Sequence, residues 1–191
     1  MARDPIDRPA PGGLELVRAF VNTRDLDRRI DELADPGAAA RWLERHGLLE
    51  RATPLRATEL TLTVHTREAL RAVLVANAGG GTADAAVGSL NDVAGRCGMA
   101  TRLTGPASAA SSPTATRRID LALGQLLAVV LDAIAADTWT RLKACPSPTC
   151  HWAFYDRSRN RTARWCDMGL CGNRAKRDAR RRRADERLVA S

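Results

Sequence analysis

The chain has 191 residues, a formal net charge of +8 and a pI near 10.2. That length suits one domain of ordinary size plus a small module, and the charge favours an anionic partner. No run of 18 apolar residues is present, which excludes a membrane-spanning helix, and the opening Met-Ala-Arg-Asp-Pro lacks the apolar core of a secretory signal. A cytoplasmic setting with reduced cysteines is therefore expected.

Residues 1–13 contain three prolines and Gly12-Gly13, and read as a flexible lead-in. Leu14, Leu16, Val17, Phe20 and Val21 recur at helical spacing. Asp35-Pro36 offers a helix cap followed by proline at the first helical position, and Gly47 a stop. That helix should bury Ala40, Trp42, Leu43 and Leu48-Leu49, with His46 a favourable cation near its end. Leu60 to Thr66 alternates like a strand, whereas Arg67 to Asn77 is amphipathic at helical period through Leu70, Val73 and Leu74. His65 has no chemical partner in view and is expected at the surface. After the break at Gly79-Gly80-Gly81, a helix from Thr82 to about Gly95 should bury Ala86, Val87, Leu90 and Val93. Cys97 reads as a small buried hydrophobe rather than a redox sensor. Residues 98–104 suit a short strand, and Thr104 to Thr116, rich in Ser, Pro, Ala and Gly, a loop or linker. Ile119, Leu121, Leu123, Leu126, Leu127, Val130, Leu131 and Ile134 then mark the most apolar helix, expected at the centre of a bundle. Only a short, stiff connection separates that helix from Cys145.

The remaining four cysteines form two pairs. Cys145 and Cys150 are separated by four residues, as are Cys166 and Cys171, and fifteen residues lie between the pairs. Two short cysteine turns joined by such a link can bring four thiolates to the corners of one tetrahedron, which suits zinc. Disulfides would need an oxidising compartment. A shell of four thiolates leaves no position for water or substrate, so the ion is expected to be structural. His151, next to Cys150, is a bystander to that shell. Trp152, Phe154, Tyr155 and Trp165 are four of the seven aromatic residues of the chain and supply a small core. Zinc, which contributes on the order of 10–16 kcal/mol to metal-folded peptides, should hold the segment together, leaving it unfolded without metal. The aromatic flanks and polar centre of 151–165 suggest a β-hairpin with a basic tip. The proline-free run from Cys171 suggests a helix carrying the last ligand at its start, making a treble-clef-like finger.

Cys145-Pro-Ser-Pro-Thr-Cys150, Asp156-Arg-Ser-Arg-Asn-Arg161, Arg164-Trp-Cys166 and Cys171-Gly-Asn-Arg-Ala-Lys176 together resemble the CGNR zinc finger, a specific likeness over about 40 residues. In that family the finger lies C-terminal to an α-helical domain called ABATE, in proteins described as stress-induced transcription regulators. Phe20-Val-Asn-Thr23 is similar to an element near the start of ABATE domains. The resemblance implies zinc on Cys145, Cys150, Cys166 and Cys171, DNA binding, and helix throughout 58–78. The expected fold is mainly α. A helical bundle with one short β element (14–140, after the lead-in 1–13) precedes a small treble-clef-like α+β finger with a basic C-terminal helix (141–187).

Charge points the same way independently of the family. Residues 141–191 hold 14 Lys and Arg against 5 Asp and Glu, a net of +9, while residues 1–140 hold 16 against 17, a net of −1. Four thiolates and one zinc ion would carry −2, leaving +7, with Arg164 placed to stabilise the site. Arginine outnumbers lysine 28 to 2 over the whole chain, a bias that does not explain the clustering. Arg180, Arg181, Arg182 and Arg183 ring a helix and leave no apolar stripe, so the helix should leave the globule past about Ala179. Arg157, Arg159 and Arg161 on the hairpin tip, Arg164, and Arg174, Lys176, Arg177 and Arg180 to Arg183 on the helix are the candidate nucleic-acid contacts. No catalytic arrangement or phosphate-cradling loop is evident, so a binding protein rather than an enzyme is expected. The leading expectation is a zinc-dependent DNA-binding regulator whose helical domain senses a signal or forms a homodimer. RNA binding by stacking on Trp152, Tyr155 or Trp165, and a protein-interaction finger, are the alternatives.

Overall fold

The computed structural model describes residues 9–189 and places six α-helices and three two-stranded antiparallel sheets among them. The first helix, α1 (Leu14–Asn22), buries Leu14, Val17, Phe20 and Val21 along one stripe, as the helical spacing requires. The end of the lead-in, residues 9–10, is packed on the body. Ala10 is buried in the core, its N–H donates to Glu15 Oε2 at 2.6 Å, and Arg157 Nη2 donates to the Pro9 carbonyl at 2.6 Å. Residues 1–8 lie outside the described residues.

A minimal hairpin, β1 (Arg24–Asp25) and β2 (Ile30–Asp31), then leads to α2 (Pro36–Arg45). Asp35 caps α2 by accepting from Gly37 N and Ala38 N at 2.9 and 2.8 Å. Gly47 ends it at φ +69°, where Leu48 N reaches Leu43 O at 2.9 Å. Leu49 is only half-buried, and His46 stacks on Trp42 at 3.8 Å between ring centroids.

The longest helix, α3 (Ala57–Asn77), runs straight through the strand-like alternation at 60–66. Thr63 and Thr66 are fully buried, yet their hydroxyls donate back to Glu59 O and Leu62 O at 2.7 and 2.8 Å, so threonines that look β-forming are satisfied within the helix. His65 is exposed, as expected. The next helix, α4 (Asp84–Cys97), starts and ends two residues later than its sequence pattern suggests and closes on Gly98 at φ +59°. Of its apolar residues Val93 and Cys97 are buried, Ala86 and Leu90 are half-buried, and Val87 is exposed, contrary to expectation.

The stretch Thr104 to Thr116 is not a linker. Ser108–Pro113 forms β4, which pairs with β3 (Met99–Gly105) from Met99↔Pro113 to Gly105↔Ser108. Its small residues have weak strand preference, but β4 lies against the last long helix of the body, α5 (Arg118–Ala135), where small side chains permit close approach. Gly124 is the residue that allows it: an added Cβ would sit 3.0 Å from Cys97 Cβ and closer still to Pro113. α5 is central, packing on α1, α3, α4 and β4, with Leu123 and Leu126 fully buried. Leu131 and Ile134, near its end, are exposed.

A short 3-10 turn (Trp139–Arg141) brings the chain to β5 (Leu142–Ala144), which pairs with β6 (Ala153–Tyr155). These strands belong to the main core. Leu142, Ala144 and Ala153 are each fully buried with the bundle's leucines, and Tyr155 packs on the same cluster. The hairpin therefore encloses the first cysteine turn, formed with a strand that precedes Cys145. The expected hairpin within 151–165, with a basic tip, does not occur, because the partner strand for 153–155 comes from the body and leaves 156–165 as a loop. The last helix, α6 (Asn173–Val189), continues beyond Ala179.

Crowding at Gly124 should make Gly124→Ala destabilising by about 1–3 kcal/mol. Gly88→Ala, on the exposed side of α4 with no heavy atom within 4 Å of the new Cβ, should stabilise by about 0.5–1 kcal/mol. Urea midpoints of the two variants test the contrast directly.

Candidate metal centre and basic surface

Both cysteine turns are shaped by hydrogen bonds from the backbone. In the first, Cys150 N and His151 N reach Ser147 O at 2.9 and 3.2 Å, His151 closes the turn at φ +47°, and Cys145 N donates to Trp152 O at 3.0 Å. In the second, Asp167 Oδ1 accepts from Gly169 N and Leu170 N at 2.6 and 3.0 Å, capping a single π-helical turn (Met168–Gly172) that carries Cys171 directly into α6. Arg174 Nη1 donates to Thr149 Oγ1 at 2.9 Å and ties the second turn to the first.

These turns bring Cys145, Cys150, Cys166 and Cys171 together, with all four Sγ atoms within 4.8 Å of one another. Cys150 and Cys166 are 3.5 Å apart and Cys166 and Cys171 3.8 Å. The corners of a zinc–thiolate tetrahedron with bonds of about 2.3 Å are separated by about 3.8 Å, so the cluster has the dimensions of one zinc site. The four cysteines form no disulfide, and their mutual proximity opposes ionisation. Hydrogen bonding to Cys150 raises the pKa of Cys145, hydrogen bonding to Cys145 and Cys150 raises that of Cys166, and burial pushes Cys171 up to about 12. Four thiolates can share this volume only around a strong cation. The donor set therefore fits a structural zinc ion, and His151 is not part of it.

The centre is fastened to the helical body. Arg71, only 3% exposed, donates to Val21 O at 2.6 Å through Nη2 and to His151 O at 2.9 Å through Nη1, while its Nε pairs with Glu68 at 3.0 Å. Asn22 brackets Ala153, donating to its carbonyl at 2.9 Å and accepting from its N–H at 2.7 Å. Asn77 Nδ2 donates to Leu142 O at 3.0 Å.

A family model for the CGNR zinc finger matches residues 141–184, and the ABATE model, described as "Putative stress-induced transcription regulator", matches residues 14–142. The chain belongs to the ABATE family. No curated protein matched in a separate search. Together with the four-cysteine cluster, the assignment makes this ABATE protein a zinc-binding regulator. The two matches meet at Arg141 and Leu142, where β5 begins inside the common core.

The predicted basic residues separate into two groups. Three of those before Cys166 are exposed and also hold a group of the chain. Arg157 holds Pro9 O and lies over the Tyr155 ring, and Arg161 pairs with Asp137 at 2.8 Å. Arg164 donates to Ala78 O and Gly79 O at 3.3 Å each, capping the end of α3 rather than serving the sulfurs. Arg159 is exposed on the same loop. On α6, Arg174 is exposed although it bonds Thr149, and Lys176, Arg177, Arg180, Arg181 and Arg183 are exposed. The Arg182 side chain lies outside the described residues. Trp152 and Trp165, half-buried, pack on the cysteines, and Phe154 is buried.

Sequence reasoning missed Lys143. It is buried, and its ammonium donates to Asp156 Oδ2 at 2.8 Å, Arg161 O at 2.6 Å and Ala163 O at 3.0 Å, one acceptor for each proton. Asp156 also accepts from Ser158 N and Ala163 N at 2.8 and 2.9 Å. Burial alone would raise the pKa of Asp156, but the bonds from Lys143 and Ser158 outweigh it and hold the carboxyl below its usual range. Only its high burial in a basic segment distinguishes Lys143, and burial is not readable from the local pattern.

Lys143→Met should cost about 3–5 kcal/mol by leaving Asp156 charged and unpaired in the interior. Because Asp156 has a depressed pKa in the folded state, its contribution is complete above the unfolded carboxylate pKa of about 3.9 and is lost as pH falls below that, through the folded value. Denaturation of wild type and Asp156→Asn from pH 6 to pH 3 should converge toward the acid end. Zinc removal should act unevenly. Elemental analysis should give one zinc per chain, and chelation should abolish amide protection at 166–172 while the amides of β5 and β6 stay protected by the bundle core.

Proposed function

We propose that this protein regulates transcription by binding duplex DNA, with zinc fixing the start of α6 against the body and α6 delivering the cationic contact. The observation that carries the reading is the continuity of α6 with the ligand turn. Cys171 lies on the turn that opens the helix, so an exposed series of Arg174, Lys176, Arg177, Arg180, Arg181 and Arg183 projects from a clamped base. A helix about 10–12 Å in diameter matches a major groove about 12 Å wide, and phosphates line both edges of that groove. Arg157, Arg161 and Arg164 are exposed on the neighbouring loop, and because each already holds a group of the chain they would add less to the contact than α6.

Duplex DNA is favoured over single-stranded RNA because Trp152 and Trp165 pack on the sulfurs and Tyr155 on the main core, each half-buried, which leaves less ring face for stacking bases. The helical body, in this reading, receives the regulatory input by ligand or by pairing with a second copy, and the protein acts by binding rather than catalysis.

Anisotropy titration of zinc-loaded protein with a labelled duplex tests the mechanism. If five cations of α6 reach phosphates, log affinity should fall against log salt with a slope of about −4.5. Truncation after Ala179 should weaken binding to all sequences alike and flatten that slope, whereas Arg157→Gln should change it little. A salt-independent affinity, or full affinity after truncation, would sink the reading. Selection from a random duplex pool would then report what sequence is read.

A further inference from the structure

The N-terminal ends of α3 and α5 open into one cleft of about 790 Å³, continuous with a smaller recess through Arg96, Arg117 and Asp120. We propose that this cleft binds a small organic anion through a carboxylate or phosphate group. Four arginines, Arg56, Arg96, Arg117 and Arg118, line it against two acids, Glu59 and Asp120, a local net of +2.

Both acids are already engaged. Glu59 Oε2 accepts from Arg118 Nη2 at 2.9 Å and from Arg56 N at 2.7 Å, and Asp120 Oδ1 accepts from Arg96 Nη2 at 3.0 Å. Arg118 is further held by Thr53 O and Pro54 O at 2.9 Å each, which fixes its planar head. Arg56 and Arg117 are exposed and form no ion pair among the described residues.

Their positions are the second observation. Arg56 is the N-cap residue of α3 and Arg117 that of α5. That position favours Ser, Thr, Asp or Asn, whose oxygens accept from the first-turn N–H groups, and it lies at the positive end of the helix dipole. An arginine there has no acceptor to offer, and the first turns rely on Glu59 and Asp120 at their third positions, both already bound to arginines. Two helices, of 21 and 18 residues, carry this unfavourable choice in the same cleft. An anion between them would meet the two exposed guanidinium groups, Arg56 and Arg117, that pair with neither acid. Leu62 and Ile119 also line the cleft, giving apolar surface for the rest of an organic molecule, with His65 beside them.

The use of this cleft as the regulator's input rests on the function proposed above. Anion binding is measured without DNA, so the two ideas fail separately. In the test, 15N-labelled full-length zinc-loaded protein is titrated at constant ionic strength with inorganic phosphate and, in parallel, with succinate. Amides of Thr58 and Ile119 should shift saturably, and the tighter of the two probes identifies the head group. Arg56→Gln/Arg117→Gln should weaken binding at least about tenfold, since a hydrogen bond to a charged group contributes about 1.5–3 kcal/mol. Arg56→Lys/Arg117→Lys should restore most of it, and Arg41→Gln, on exposed α2, should leave it unchanged. Amides that fail to move with either anion, or that move equally in the glutamine variant, would overturn the proposal.

Discussion

One buried guanidinium joins the two halves of this molecule. Arg71 gives one proton to the end of α1 and another to the carbonyl of His151, the residue after a zinc ligand, so bundle and finger share an interior hydrogen-bond donor. Burial lowers the pKa of Arg71, and the adjacent Glu68 partly restores it. One turn earlier on the same helix, Arg67 is wholly buried and clamps Asp31 at 2.6 and 3.0 Å, locking the small β1–β2 hairpin to α3. Removing Asp31 would leave the buried Arg67 guanidinium without its carboxylate, the costly half of such a pair. The folding of the finger and of the bundle are therefore linked by electrostatics as well as by the shared apolar core around Leu142, Ala144 and Ala153.

One of the two lysines of the chain shows what arginine cannot do. With 28 arginines present, an ammonium survives at 143, where three acceptors converge on one point and a flat five-donor fork would not fit. That point organises the loop 156–163, which the arginines at 157 and 161 then pin to Pro9 and Asp137. Positive charge in this segment thus serves two ends. Before Cys166, Lys143 is buried and exposed arginines also hold groups of the chain, and after Cys171 the charge is mostly presented to solvent.

Much of the fold and of the metal centre was legible because the signals are local. Two cysteine pairs at matched spacing announce a metal site, Asp35-Pro36 and Gly47 bracket a helix, and the apolar stripe of 119–130 marks the central element. What escaped depended on partners distant in sequence. β4 looks like a linker because Ser and Ala carry no strand signal of their own, and only the close surface offered by Gly124 makes small residues the right ones. The hairpin of the finger was misplaced because Ala153 to Tyr155 pairs with a strand before the first cysteine, and nothing in 151–165 encodes that. That Arg157 and Arg164 also hold backbone carbonyls and Arg161 the Asp137 carboxylate was not legible, because composition counts charges without showing their partners.

α3 has a mechanical meaning beyond packing. Its 21 residues span about 32 Å. Its first turn forms one wall of the arginine cleft, and its last turns grip the finger through Arg71, Asn77 and the carbonyls of Ala78 and Gly79. A rod held at both ends is a lever: a tilt of about 5° at one end displaces the other by about 3 Å over that length, roughly the spacing of successive base pairs along a duplex.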